Sequence, residues 1–238
     1  MSYRLVITSQ QIQEKYLNLS VDQEHYLRRV LRLQSGDKFI ALNGEGDCWL
    51  VELTKDEAII MQSLQESNEI SRSIQLLVAL PKGSGFEDIV RSCTELGVSS
   101  FIPILSKRTL LVPSPAKVER WRRIAQEASE QSERQIVPKI TNPTDLATAL
   151  SQIDLAQMTS YLCVTRRGDA KHLAHSLLSS SASKGILLAI GPEGGWTEQE
   201  IEQCLTCGFQ LVSLGNRILR TITAPLVAVA MVAAMLKE

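Results

Sequence analysis

The stretch "GILLAIGPEGGWTEQE", residues 185–200, decides the architecture. Five apolar residues in a row, without alternation, suit a strand buried on both faces, as in a parallel sheet. The run breaks at Gly191-Pro192-Glu193-Gly194-Gly195, and Thr197 with Glu200 then forms the capping-box signature of a helix start. Strand, glycine loop and helix in that order expose backbone N–H groups to a ligand. No Lys-Ser/Thr pair follows, so the loop is not a P-loop, and the G-x-G-x-x-G spacing of a dinucleotide site is missing. Glu193 puts negative charge where a phosphate would sit. The loop suits a ligand that is neutral or cationic at the point of contact.

Working outward, strands and helices alternate. "IQLLVALPKG" reads as a buried strand, and "FEDIVRSCTELG" as a helix with Phe86, Ile89, Val90, Cys93 and Leu96 on one face, stopped by Gly97. "SSFIPIL" is a strand, and "SPAKVERWRRIAQEASEQSER" a long helix with Ser114 as N-cap and Pro115 in its first turn. "TSYLCVT" precedes a helix over "DAKHLAHSLLSS"; after the helix that Gly208 stops come the strand "FQLVSLG" and a last helix. This alternation predicts an α/β domain over residues 73–238 built on a mostly parallel sheet.

Residues 1–70 differ. "SVDQEHYLRRVLRL" has helical spacing, with Ser20 and Gln23 as a capping box and Tyr26, Val30 and Leu33 on one side. "KFIALNG", "CWLVELT" and "AIIMQSL" follow as short strands separated by turn chemistry. A small β-barrel with one helix is expected, joined to the second domain by the polar linker "ESNEISRS", residues 66–73. At 238 residues, 44% hydrophobic and 21% charged, the chain can bury sizeable cores. A net charge of −1 gives no global basic field, though a local patch suffices for phosphate contacts. The start "MSYRLVITSQ" lacks a signal-peptide pattern. The most apolar segment, "APLVAVAMVAAML", is too short to span a bilayer and is read as a helix in a core or subunit interface. Five cysteines without framework spacing suit reduced thiols in a cytoplasm.

In open α/β sheets ligands collect beyond the C-terminal ends of the strands. Here those ends carry "LPKG", "GPEGG" and "LGNRILRTITA", with Arg217 and Arg220 beside glycines. "LVALPKG", "TELGV", "EASEQSER", "GPEGG" and "LGNRILRT-TA", together with "HYLRRVLRL…GD" near the start, resemble in order and spacing the bacterial methyltransferases that modify N3 of a uridine in 16S ribosomal RNA. These are S-adenosylmethionine enzymes of the SPOUT superfamily. The resemblance departs at Ile222, where the family carries a carboxylate, and at Trp196, where it has Phe.

The resemblance implies a PUA-like N-terminal β-barrel, a C-terminal α/β domain with a trefoil knot, and a cytoplasmic homodimer with active sites at the subunit interface. It assigns S-adenosylmethionine, released as S-adenosylhomocysteine, to Leu162, Gly191, Pro192, Glu193, Gly194, Gly195, Leu214, Gly215, Ile218, Leu219 and Thr223. Its substrate is 16S rRNA in the assembled small subunit. Uracil N3 is not nucleophilic until its proton leaves, and the charge then spreads to O2 and O4; a fixed guanidinium stabilises it. Arg220 is the first candidate for that role and Arg217 the second, while no residue identifies itself as the base. Arg28, Arg29, Arg32, Lys82, Arg108 and Arg134 are candidates for contacting RNA phosphates, although each cluster alone also reads as a solvated face. Cys204 with Cys207 and His172 with His175 lack the flanking turns of a zinc site, so no metal is expected. Two other readings share the fold: a SPOUT enzyme with another RNA target, and a non-catalytic RNA-binding assembly factor.

Overall fold

The computed structural model describes residues 3–65, 67–109, 112–179 and 184–236. Glu66, where the linker begins, and Ser180, at the end of the 169–180 segment, lie outside the described residues. The chain divides into two compact units, Met1–Glu69 with Gln126–Val137, and Ile70–Ala125 with Pro138–Glu238. The first break falls near residue 70, but the segment 126–137, expected in the second domain, groups with the first. Long-range polar contacts within that unit account for this. Val6 N–H donates to Glu130 Oε1 (2.8 Å), Arg4 pairs with Glu133 (2.7 Å), and Glu45 bridges Ile136.

The first unit contains β1 (Arg4–Val6), β2 (Ile12–Gln13), β3 (Tyr16–Leu17), α1 (Val21–His25), β4 (Lys38–Leu42), β5 (Cys48–Leu53) and β6 (Ala58–Leu64). They make one six-stranded sheet in the order β1-β4-β5-β6-β3-β2, with β4, β5 and β6 as an antiparallel meander. Leu5, Leu17, Leu27, Phe39, Val51 and Leu53 form its core. The Ser20–Gln23 capping box is present. The expected apolar side of the helix is not the buried one. After α1 the chain widens into a π-helical turn over Tyr26–Val30, with Leu31 N–H donating to Tyr26 O. One extra residue per turn rotates the face. Leu27 is fully buried, whereas Tyr26 and Val30 are 37% and 57% exposed.

The second unit holds β7 (Ile74–Ala79), α2 (Gly85–Glu95), β8 (Ser100–Ile104), α3 (Pro115–Gln131, up to Ala125), β9 (Lys139–Ile140), α4 (Leu146–Gln152), β10 (Met158–Cys163), β11 (Lys171–His172), α5 (Leu173–Leu178), β12 (Gly185–Ile190), α6 (Glu198–Thr206), β13 (Gln210–Ser213) and α7 (Thr223–Met235). Its seven strands run β11-β13-β10-β12-β7-β8-β9, and every pairing is parallel. The chain lays β12 between β7 and β10, and β13 between β10 and β11, after those neighbours are placed. Helix α2 buries Phe86, Ile89, Val90 and Cys93 as its spacing predicts. Gly97 and Gly208, at φ +94° and +86°, supply the left-handed stops. Helix α7 packs on α2, α5, β7 and β12 through Pro225, Ala228, Val229 and Val232.

Candidate active site

Because the strands are parallel, the segments after β7, β10, β12 and β13 emerge at one edge of the sheet. A cavity of about 350 Å³ opens there. Its walls include the whole of Gly191–Gly195 together with Leu214, Gly215, Ile218 and Leu219. Two of the residues assigned by resemblance do not line it. Leu162 is fully buried in the strand behind, and Thr223 is displaced by its neighbours Thr221 and Ala224, which do.

The glycines have distinct reasons. A Cβ on Gly191 would approach Trp196 Nε1 at 3.0 Å, so the indole lies flat on the backbone at this point. Gly215 sits at φ +114°, which a side chain rarely tolerates. Here its N–H reaches Ser213 Oγ at 3.1 Å, closing a tight turn after β13.

The loop is fastened from several sides. Lys82 N–H donates to Glu193 Oε1 at 3.0 Å, tying the segment after β7 to the segment after β12. The Arg108 guanidinium donates to the carbonyl of Gly194. Glu200, only 3% exposed, closes the Thr197 capping box and also accepts Lys107 N–H at 2.9 Å. These bonds place rigid backbone around the cavity before any ligand arrives.

A second cavity of about 380 Å³ adjoins the first. Pro81, Lys82, Arg220 and Ile222 line it, and Glu193, Ile218, Leu219 and Thr221 line both. The two candidate arginines are thus separated, Arg217 on the glycine-lined cavity and Arg220 on the adjoining one. Ile222 lies over Gly85, whose hypothetical Cβ would come within 2.7 Å of Ile222 Cγ2.

The segment after β10 was not legible as part of the site. Cys163, Val164, Thr165, Arg166 and Arg167 all line the first cavity, with Trp196, Glu198 and Ile201. Arg167 pairs with Glu198 (3.0 Å) and Asp169 (3.3 Å), pinning this segment to the start of α6. "TRRGD" follows a strand end like the other three, and that position was the available signal. Burial pushes the Cys163 thiol up to about 12, so it stays protonated at neutral pH.

The candidate RNA contacts separate into groups. Arg29, Arg32 and Lys82 are exposed. Arg28 spends its guanidinium on the carbonyls of Thr54 (2.8 Å) and Lys55 (3.0 Å), and Arg108 on the cavity loop. Arg134 is not a surface cation. Its side chain is 5% exposed and grips Glu69 with Nη2–Oε2 at 2.7 Å. A largely buried carboxylate has captured it, which sequence spacing across 65 residues could not reveal. Of the residues weighed for zinc, His172 caps α5 by accepting Ala174 N–H, and Cys204 is buried in the core.

A parallel sheet with late-inserted strands, whose glycine loops wall a cavity, fits an α/β RNA methyltransferase domain of the SPOUT class, here with a PUA-like unit. A family model described as an RNA methyltransferase domain matches residues 68–233, and one described as an RNA methyltransferase PUA domain matches residues 19–60. Ribosomal RNA small subunit methyltransferase E of Synechocystis sp. is 47% identical over all of this chain and 79% of its own length. The protein of that name from Bacillus subtilis is 34% identical over 95% of this chain and 93% of its own. The crystal structure of the Neisseria gonorrhoeae enzyme of that name, bound to S-adenosyl methionine, superposes with a TM-score of 0.84 at 29% identity, covering 99% of this chain and 98% of that one. The chain belongs to the ribosomal RNA small subunit methyltransferase E family of RNA methyltransferases.

Proposed function

We propose that this protein transfers a methyl group from S-adenosylmethionine to N3 of a uridine in 16S ribosomal RNA of the small subunit. The observation that carries the reading is the pair of adjoining cavities, one walled by glycine loops and the other holding Arg220 and Lys82, with Glu193 common to both. The first cavity fits the cofactor. Its volume lies in the range of small-molecule sites, its walls offer closely approaching backbone, and its carboxylates Glu193 and Glu198 tolerate a cation. The backbone of Gly191–Gly195, with Leu214, Gly215, Ile218 and Leu219, would hold it, leaving the Glu193 side chain free of that task. When bound, the cofactor supplies an electrophilic methyl group on a sulfonium.

The chain's own residues do the rest. Arg220 and Lys82 face the adjoining cavity, where a flipped uracil would lie, and they stabilise charge that develops on O2 and O4 as the N3 proton leaves. Exposed Arg29 and Arg32 on the PUA-like unit contribute salt-sensitive phosphate contacts. A homodimer completes the substrate groove. Helix α7 supports this, because exposed Ala230 and Ala234, flanked by half-buried Val227 and Met231, leave an apolar face opposite its buried one. A ribosomal substrate makes the enzyme cytoplasmic.

Mass spectrometry of ribosomal RNA from a deletion strain tests the reading. The expected result is loss of one N3-methyluridine from 16S rRNA, restored by the gene. An unchanged 16S rRNA would overturn it.

A further inference from the structure

We propose that Glu193 is the general base that removes the N3 proton of the target uridine, an inference that rests on the methyl-transfer reading above. The residue required must be unprotonated at neutral pH and must reach the nucleobase beside the methyl donor. The titratable side chains lining the two cavities form a short set. Arg166, Arg167, Arg217, Arg220 and Lys82 are cations suited to holding an anion. The Cys163 thiol is held protonated by burial. Glu198 lines only the first cavity and is fastened to Arg167 at 3.0 Å. No Asp or His lines either cavity among the described residues. Glu193 remains, and it stands in the wall the cavities share.

Its geometry suits the task. Lys82 N–H donates to Oε1 at 3.0 Å and fixes the carboxylate. Oε2 has no protein hydrogen bond among the described residues, which leaves its lone pairs for the substrate. The same Lys82 and Arg220 face the adjoining cavity, where they lower the cost of an imide anion, so transfer to a carboxylate becomes less uphill. The step balances. The N3–H bond breaks, the proton passes to Glu193 Oε2, and the electron pair left on N3 forms the bond to the methyl carbon as the donor's S–CH3 bond breaks and S-adenosylhomocysteine leaves. The carboxyl group then releases its proton to water.

Glu193→Gln keeps the acceptor for Lys82 N–H and removes the basicity. Single-turnover methylation of small subunits at neutral pH should fall on the order of 10²- to 10⁴-fold, the usual contribution of a positioned base. Calorimetric Kd for S-adenosylmethionine and the affinity for small subunits should stay within about threefold. The variant's rate should rise about tenfold per pH unit where the native enzyme is level, since hydroxide must then take the proton. In Glu193→Gly, added formate should restore part of the rate. A Glu193→Gln rate within about fivefold of native, or a loss of cofactor affinity in proportion to rate, would overturn the assignment and make Glu193 a spectator or a cofactor ligand. Absence of formate rescue together with an unaltered pH profile would do the same. If the native enzyme itself methylated no small subunit, the functional reading would fall instead.

Discussion

Glu69→Ala and Arg134→Met, compared singly and together, test whether Arg134 serves the fold and not the RNA. The Glu69 carboxylate is 12% exposed and the Arg134 side chain 5%. Besides the guanidinium, Glu69 Oε1 accepts the N–H groups of Gln135 and Ile136, each at 3.0 Å. Removing one partner of a largely buried pair costs about 3–5 kcal/mol, because the other charge loses its counter-ion in a poorly solvated place. Glu69→Ala belongs at the upper end, about 5 kcal/mol, since it also removes the carboxylate acceptor of two part-buried N–H donors. Arg134→Met belongs near 3 kcal/mol, because the two N–H groups still solvate the carboxylate. The double variant should lose less than the sum of the singles, as both substitutions remove the same ion pair. Urea unfolding followed by hydrogen exchange in β4, β5 and β6 reads these losses within the first unit. Arg134→Met should leave the salt dependence of small-subunit binding unchanged. Native stability in Arg134→Met, combined with weakened and less salt-dependent RNA binding, would refute the internal role.

Arg220→Ala should slow methyl transfer about 10²- to 10³-fold while cofactor Kd stays within about twofold, because Arg220 lines the adjoining cavity and not the glycine-walled one. Isothermal titration beside single-turnover kinetics checks the split, and equal losses in both would make Arg220 a cofactor ligand. Burial raises the Glu130 carboxyl above its ordinary value, with Val6 N–H opposing the shift. A raised acid favours the folded state fully below the unfolded pKa and loses that benefit as pH rises through the folded one. Glu130→Gln should therefore melt higher than the native protein at pH 7, and the gap should close as pH falls toward 4.5. A gap that widens in acid would contradict this.

The sequence determined what acts over a few residues. The apolar run before Gly191 gives a doubly buried strand, Thr197 with Glu200 and Ser20 with Gln23 give helix starts, and Gly97 and Gly208 give stops. Most of the cavity wall followed, because glycine loops at strand ends sit at a known edge of a parallel sheet. The short helix α4, capped by Asp145, is not legible in the sequence because seven residues carry too little periodicity. The π-turn at Tyr26–Val30 turned the inner face from Val30 to Leu27, a half-register choice made by the core against it. Tertiary structure alone decided the rest. The grouping of 126–137 with the first unit, the capture of Arg134 by Glu69, and the division of Arg217 from Arg220 between two cavities depend on chain segments far apart in sequence. So does the placing of β12 and β13 between strands already laid. Local pattern constrains the backbone through its neighbours. Which distant groups meet is set by burial and by the partners a buried charge must find, and no spacing along the chain encodes that.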